Sequence, residues 1–105
     1  MDVIAEHKLL ALYPDGTASP VCLRVGRPEP RSDGDWVCPV QGEGLRLWEG
    51  PTELFGVGSW HALMIGLRFL REILASEVRQ GAVLHWEGGE HSTSVDELFV
   101  LHEID

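Results

Sequence analysis

Two histidines and two glutamates lie close together near the end of the sequence, at His85, Glu87, Glu90 and His91. All four side chains are of the types that ligate Zn²⁺ and other transition metals. On a strand, His85 and Glu87 would share one face. The spacing contains no i, i+4 histidine pair, and two glycines separate the halves of the cluster. We therefore interpret it as an acidic surface hairpin and expect neither a metal nor another cofactor.

The two cysteines, Cys22 and Cys38, could supply a nucleophile or form a disulfide. A nucleophilic cysteine needs a lowered thiol pKa beside a base, and neither lies in a recognisable local signature with His, Lys or Asn. Free cysteines are among the most buried residue types in folded proteins. We expect both to be reduced, half-buried strand residues, as is usual in the cytoplasm.

Residues 56–59, Gly-Val-Gly-Ser, precede a long helical pattern in the way that phosphate-binding turns do. The third glycine of the dinucleotide-binding motif is missing, however, and no Walker lysine follows. A turn with Ser59 as the N-cap is the simpler interpretation, and anion binding is the alternative. No catalytic triad, H-E-x-x-H motif or carboxylate pair can be assigned, so the sequence predicts no catalytic residue.

The four tryptophans fall on four different predicted elements, at Trp36, Trp48, Trp60 and Trp86. Such side chains supply a large buried area to a small core. An aromatic cage around a ligand is the alternative, and it would need convergent polar groups that the sequence does not identify. We expect the tryptophans to be core residues.

The net charge of −9 argues against nucleic-acid binding, because phosphate recognition needs a basic surface. All eight Lys and Arg residues lie at or before Arg79, whereas the last 26 residues carry six acidic side chains. A solvated, solubilising tail is one interpretation, and an acidic face that meets a basic protein is the other. The candidate interaction residues of such a face are Glu87, Glu90, Asp96, Glu97 and Glu103.

These charged and polar residues must be positioned by a helix from Ser59 to about Arg79, the longest element that the sequence predicts. Its apolar residues recur at i, i+3, i+4 and i+7, with Leu67 at the centre of an arc of about 220°. One sheet face cannot cover that arc, so we expect further cover from a second helix or a second copy of the protein. Gly66 inside the arc predicts a close backbone approach, since an interior glycine disfavours a helix. Gly81 is expected to end the helix.

Five shorter segments have the alternation or the apolar content of strands. Residues 3–13 and 21–27 flank a Pro-Asp-Gly-Thr turn and predict an antiparallel hairpin. Residues 36–41 predict a strand at an edge or with a bulge, because Pro39 cannot donate a ladder hydrogen bond. Residues 45–49 predict a fourth strand, and residues 82–87 predict a fifth strand or a packed loop.

Ser94 and Glu97 have the spacing of a capping box and predict a short C-terminal helix. The fold class is therefore α+β: an antiparallel sheet of four to five strands, one long helix packed on a face, and the short helix. At 105 residues we expect a single domain, 1–105. No segment approaches the roughly 20 apolar residues of a membrane span, and the N-terminus lacks a basic n-region, so we expect a cytoplasmic protein.

Two motifs resemble those of a family of small bacterial proteins classed as a domain of unknown function. They are D-W-x-C at residues 35–38 and G-V-x-S-x-x-A-L at residues 56–63. The similarity runs from about Val3 to Trp86, and the chain departs at Gly58, where an acidic residue usually follows Gly-Val. The resemblance implies an α+β fold and a bacterial source, and it brings no catalytic residues. Relatives of this type are associated with immunity-like partners of toxins.

These observations favour a non-catalytic interaction protein, an acidic immunity-like partner of a basic protein. The alternative is a small ligand-binding protein or enzyme that uses the Trp-rich face and the histidines. A concave pocket with converging polar groups would favour the ligand-binding protein or enzyme. A flat acidic surface would favour the interaction protein. We also expect a homodimer, because the apolar arc of the helix needs cover.

Overall fold

The computed structural model of the chain describes residues 1–89 and 91–99. It confirms the predicted α+β fold, with one long helix on an antiparallel sheet and a short helix near the C-terminus. The elements are β1 (Val3–Leu12), β2 (Ala18–Gly26), β3 (Glu29–Pro30), β4 (Trp36–Glu43), β5 (Thr52–Gly56), α1 (Ser59–Arg79), β6 (Val83–Trp86) and α2 (Val95–Phe99).

All strand pairs are antiparallel, and α1 links one edge strand to the other while it packs mainly on β4 and β5. Val40 in β4 pairs with Val25 in β2 and also with Thr52 in β5, so β2 and β5 lie on opposite sides of β4. The main order is therefore β5-β4-β2-β1-β6. The two-residue β3 pairs with the beginning of β4, on the same side of β4 as β2. Since β5 and β6 are the outer strands, the 21 residues of α1 connect the two edges.

The β1–β2 hairpin forms at the turn that the sequence predicts. The Tyr13 N–H donates to the Thr17 carbonyl at 2.9 Å, and the Thr17 N–H donates to Asp15 Oδ1 at 2.9 Å. Gly16 has a φ of 87°, which a side chain would disfavour. The register pairs His7 with Leu23 and Leu9 with Val21, so these four side chains lie on the face that α1 covers.

Of the two alternatives predicted at Pro39, the edge strand is wrong, because β4 has neighbours on both sides, whereas the pairing is irregular there: from Val40 to Val37, three steps along β4 correspond to four from Val25 to Glu29. Pairing with β2 stops at Val40, and pairing with β3 begins at Val37. Pro39 thus lies opposite the break between β2 and β3. No strand pairs with it on that side, so its lack of an N–H costs no hydrogen bond there. Its ring packs against Gly26, at which a Cβ would come within 2.6 Å of Pro39 Cγ.

The predicted strand at residues 45–49 is also wrong, because this segment is a loop and the strand is β5, Thr52–Gly56. Long-range hydrogen bonds hold the loop: the Arg46 and Leu47 N–H groups donate to the Glu77 carboxylate on α1. The Trp48 indole N–H donates to Thr52 Oγ1 at 2.9 Å. The Glu77 carboxylate thus accepts backbone N–H groups that would otherwise pair with a neighbouring strand. Residues 82–87, by contrast, do contain a strand, β6.

The buried stripe of α1 is narrower than the predicted arc, and it runs along helix positions that do not include Leu67. Its fully buried residues are Ala62, Gly66, Leu70, Leu74 and Glu77. Leu67, the expected centre, is half-buried, because α1 packs most extensively on β4 and β5 and much less on β2. The stripe joins the inner side chains of the strands in one hydrophobic cluster.

Both ends of α1 show how local sequence sets the limits of a helix. The N-cap is Gly58, one residue before the predicted Ser59, because Gly58 has an extended backbone and its carbonyl accepts the Ala62 N–H. At the other end, Gly81 has a φ of 104°, and its N–H donates to the Val78 carbonyl. The Ala82 N–H donates to the Glu77 carbonyl, which completes a Schellman motif and confirms the predicted stop.

The close approach predicted at Gly66 is confirmed. A Cβ at this position would lie 3.0 Å from Cys38 Sγ and 3.2 Å from Val40 Cγ1, both on β4. The glycine therefore lets the helix axis come close to the centre of the sheet. In the described part of the chain, no helix is long and apolar enough to span a membrane.

Candidate functional site

A groove lies beside the central helix, on the part of the sheet that α1 covers least. The helix is seated on β4 and β5, so a gap remains over the first half of β1 and its neighbour β2. The helix α2 contacts α1 and closes one side of the gap. The groove has a volume of about 500 Å³ and is lined by Ala5, Glu6, His7, Leu23, Met64, Leu67, Arg68, Arg71, Leu98 and Phe99.

The walls of the groove are mostly apolar, for reasons that lie in the local sequence. Strand alternation places Ala5 and His7 on the face of β1 that looks toward α1. The i, i+3, i+4 spacing of the helix brings Met64 and Leu67 to the same side of α1. The small Ala5 side chain leaves room that a larger residue would fill, so the sequence itself keeps the groove open.

His7 is the polar group on the floor of this groove. Its Nε2 atom is shielded from solvent and has no hydrogen-bond partner among the described residues. The ring packs edge-on against Trp86, with 5.4 Å between the ring centroids and an interplanar angle of 76°. Because the Nε2 atom is shielded, a ligand in the groove would meet the ring of His7 and not this nitrogen.

Two arginines of α1, one turn apart, line the helix side of the groove. Arg71 Nη2 lies 3.4 Å from Asp96 Oδ1 on α2, and this ion pair joins the two helices. Arg68 is exposed and makes no ion pair with any described residue. A guanidinium has five donors arranged to bind a carboxylate, so Arg68 is the cation available to a ligand.

Glu6 is the acidic residue of the lining, and its carboxylate is already engaged. Its Oε2 accepts a hydrogen bond from Arg24 Nε at 3.3 Å and one from Cys22 Sγ at 3.8 Å. Arg24 also binds Glu43, so one guanidinium serves two carboxylates. With two arginines against one glutamate, the lining carries an excess of positive charge in a chain of net charge −9.

Both cysteines are free, buried thiols, as predicted. Burial raises the pKa of Cys22 above its ordinary value, and the nearby Arg24 opposes part of that rise. Burial alone raises the pKa of Cys38, whose Sγ lies 3.5 Å from the Gly26 carbonyl oxygen. A raised thiol pKa reduces the thiolate fraction, which makes both groups poor nucleophiles at neutral pH.

The candidate metal ligands lie at the end of β6 and in the hairpin after it. His85 is half-buried and its Nδ1 has no hydrogen-bond partner among residues 1–89 and 91–99, whereas Glu87 and His91 are exposed. Across the described residues, no group of three or more His, Cys, Asp or Glu side chains could hold a metal ion. Glu90 lies outside the described residues, and the expected lack of a cofactor stays a prediction.

The candidate interaction residues do not present one uniform acidic face within the described part of the chain. Asp96 is paired with Arg71, and the Glu97 carboxylate accepts a hydrogen bond from Thr93 Oγ1 at 3.2 Å. Glu87 is exposed in the turn after β6, while Glu90 and Glu103 lie outside the described residues. The Glu97 N–H donates to Ser94 Oγ, so the predicted serine cap of the C-terminal helix is confirmed.

The four tryptophans have different surroundings and do not build the ligand cage considered above. Trp36 and Trp48 pack against the core cluster, and the Trp48 ring lies edge-on to Phe69. Trp86 contacts His7 beside the groove. Trp60 is 77% exposed, so the expectation of four core tryptophans is wrong at this position.

Trp60 belongs to an exposed apolar strip that also contains Val57 and Met64. Val57 is 81% exposed in the turn before α1, and Met64 lies one helical turn after Trp60 at the rim of the groove. At the same turn the Val57 N–H donates to His61 Nδ1 at 3.0 Å. The Gly-Val-Gly-Ser segment is thus a turn that leads into the helix, as the simpler interpretation expects, although Gly58 and not the Ser59 hydroxyl caps the helix.

Glu77 is an important residue that sequence reasoning missed. It is only 1% exposed, and its carboxylate accepts hydrogen bonds from the Tyr13 hydroxyl and from the Arg46 and Leu47 N–H groups. Burial, and then the Glu77 carboxylate, raise the pKa of Tyr13 above its ordinary value. A signal was present, because Glu77 continues the spacing of Leu70 and Leu74 on the buried face.

Arg46, on the solvent side, joins Glu77 and Tyr13 in a cluster that also contains Asp15. Its guanidinium lies 3.8 Å from the centre of the Tyr13 ring and binds Asp15 Oδ2 at 2.9 Å. The Thr17 backbone N–H and then Arg46 lower the pKa of Asp15 to about 2. The cluster joins the β1–β2 turn, the β4–β5 loop and the end of α1, and it lies apart from the groove.

A sheet of antiparallel strands, a crossing helix and a lateral apolar groove define an α+β protein with a built-in concave surface. The chain belongs to the family described as Domain of unknown function (DUF6968), which it matches over residues 5–96. The resemblance to an uncharacterised family is thereby confirmed. No curated protein and no solved structure matches the chain.

Proposed function

We propose that this protein is a small-molecule-binding protein whose ligand lies in the groove between β1, β2, α1 and α2. The observation that carries the proposal is the groove itself, a concave, mostly apolar surface of about 500 Å³ with few polar groups. Ligand sites typically have volumes of about 300–1,000 Å³ and this kind of lining. A concave pocket was the feature expected to favour the ligand-binding alternative over an acidic interaction surface.

The physical reason for binding is the apolar area on both sides of the groove. Leu67, Leu98 and Phe99 are only half-buried, although their neighbours belong to the hydrophobic core. Each Å² of apolar surface that a ligand removes from water contributes roughly 25 cal/mol. An apolar ligand between these side chains therefore gains binding energy without any rearrangement of the sheet.

The test is a titration with a neutral apolar probe, 1-decanol, followed by the NMR signals of methyl groups in the protein. We expect saturable shifts at Met64 and Leu67, which face the groove, and none at Val83, which lies on β6. Ala5→Trp should weaken binding at least about tenfold, because the ring fills the groove from the exposed start of β1.

Ile4→Trp is the matched control, since Ile4 is the neighbouring exposed residue of β1 and does not line the groove. It should leave the affinity for 1-decanol unchanged. Shifts that do not saturate, or equal losses of affinity in the two variants, would show that the groove is not the binding site.

A second candidate function, protein interaction, is favoured by the exposed Val57 and Trp60 side chains. A bacterial immunity-like role with a basic protein belongs to this candidate, with Glu87 as its exposed acidic residue. Affinity capture from the native host with the wild-type chain and with Trp60→Ser tests it. A basic partner retained only by the wild-type chain supports the role, and equal capture by both contradicts the use of this strip.

A further inference from the structure

We infer that the ligand of the groove is an organic acid: a carboxylate on an apolar body, with the carboxylate held by the Arg68 guanidinium. The inference rests on the proposed function and names its ligand class. It follows from which polar groups line the groove and which of them are already bonded to other residues.

The cations of the lining are the first step. Arg68 and Arg71 lie one turn apart on α1, and Arg71 is held by Asp96. Arg68 has no carboxylate partner within residues 1–89 and 91–99. Because the guanidinium fork matches a carboxylate in geometry and charge, an acid head group would satisfy it with two charge-assisted hydrogen bonds.

The apolar walls are the second step. Met64, Leu67, Leu98 and Phe99 line the groove together with Arg68, so the body of the ligand is apolar. The His7 ring adds to this lining, while its Nε2 atom is shielded.

The carboxylates around the groove decide between an acid and a base as the ligand. Glu6 is bonded to Arg24 and Cys22, and Asp96 is bonded to Arg71. A cationic ligand would therefore have to displace an internal ion pair, whereas an anionic ligand meets the Arg68 guanidinium, which has no ion-pair partner among the described residues. This attraction acts at short range, because the net charge of −9 repels anions at a distance.

The experiment compares two probes that differ only in the head group, decanoate and 1-decanol, by titration calorimetry at pH 7.5 and low salt. We expect decanoate to bind at least about tenfold more tightly, the factor that corresponds to one charge-assisted contact. Arg68→Gln should abolish this preference by lowering the affinity for decanoate to that for 1-decanol. Arg68→Lys should retain part of the preference, because it keeps the charge but not the fork.

Arg79→Gln is the matched control, because Arg79 is an exposed arginine of the same helix that binds Ser76 and does not line the groove. It should preserve the preference for decanoate.

The outcomes separate the two proposals. If both probes bind equally well, the proposed ligand site stands, but the inference that its ligand is an acid is wrong. If neither probe binds, the proposed function fails and the inference fails with it. If Arg79→Gln lowers the preference as much as Arg68→Gln does, the effect comes from net charge, and the assignment of the head group to Arg68 is overturned.

Discussion

At the scale of single residues, the buried Glu77 carboxylate is the feature with the clearest structural consequence. It is located in the last turns of α1 and accepts hydrogen bonds from three groups, two of them N–H groups of the β4–β5 loop. Its carboxylate can remain in the protein interior because these donors replace the water that it loses. The residue therefore fixes a loop whose own sequence would suit a strand.

Glu77→Ala should lower the free energy of unfolding by about 2–4 kcal/mol, because it removes the shared acceptor of two part-buried backbone N–H groups and of the buried Tyr13 hydroxyl. Glu77→Gln should lower it by less, since the amide oxygen still accepts a hydrogen bond. Urea denaturation followed by tryptophan fluorescence measures both. Glu72→Ala, at an exposed position of the same helix, is the control, and equal midpoints for Glu77→Ala and Glu72→Ala would contradict this role.

At the scale of elements, the position of α1 on the sheet determines where the groove lies. Gly66 allows the helix to approach Cys38 and Val40 closely, so α1 sits over β4 and β5. A helix seated at that end of the sheet cannot also cover the first half of β1. The groove is the consequence, and α2 closes it on one side.

Gly66→Leu should lower the free energy of unfolding by about 1–3 kcal/mol, the range for overpacking a well-packed core. The new side chain would meet Cys38 and Val40, and the helix would have to move away from β4. Gly58→Ser is the control, because a Cβ there has no atom within 4 Å and serine is a good N-cap. Thermal melting measures the stability of both variants. A Gly66→Leu variant as stable as Gly58→Ser would show that the close approach of Gly66 to Cys38 and Val40 is unimportant.

At the scale of the whole molecule, the exposed strip of Val57, Trp60 and Met64 bears on the predicted homodimer. Large apolar side chains at 81% and 77% exposure on adjacent turns form a patch of the kind found at interfaces. C₂ dimers are the commonest soluble oligomers, and physiological salt screens the charge repulsion over about 8 Å. A second copy packed along this strip would cover the apolar residues that the sheet leaves exposed.

We therefore expect sedimentation equilibrium at micromolar concentration to give a mass near twice the 11.7 kDa of the chain. Trp60→Glu should shift the equilibrium to the monomer, because it places a charge in the centre of the strip. Val83→Glu, at an exposed apolar residue of β6, should leave the dimer intact. A single species near the monomer mass for the wild-type chain would rule out the dimer under these conditions.

The sequence by itself determined the features that depend on neighbouring residues. The turn between β1 and β2, the stop of α1 at Gly81 and the cap of α2 at Ser94 each follow from hydrogen bonds within a few residues. Helical periodicity and strand alternation were sufficient for α1 and for the α+β class, because both patterns report which side of an element is buried. The family motifs were recognised for the same reason, as short local patterns.

Only the tertiary structure decided the features that depend on distant residues. Residues 45–49 alternate like a strand, yet Glu77, about thirty positions later, takes their N–H groups and makes them a loop. The strand instead forms at Thr52–Gly56, where β4 is available as a partner. The groove brings together residues from β1, β2, α1 and α2, and no local pattern marks such a set. Its chemistry arises because packing leaves Arg68 without an ion-pair partner among the described residues, while Glu6 and Asp96 acquire partners.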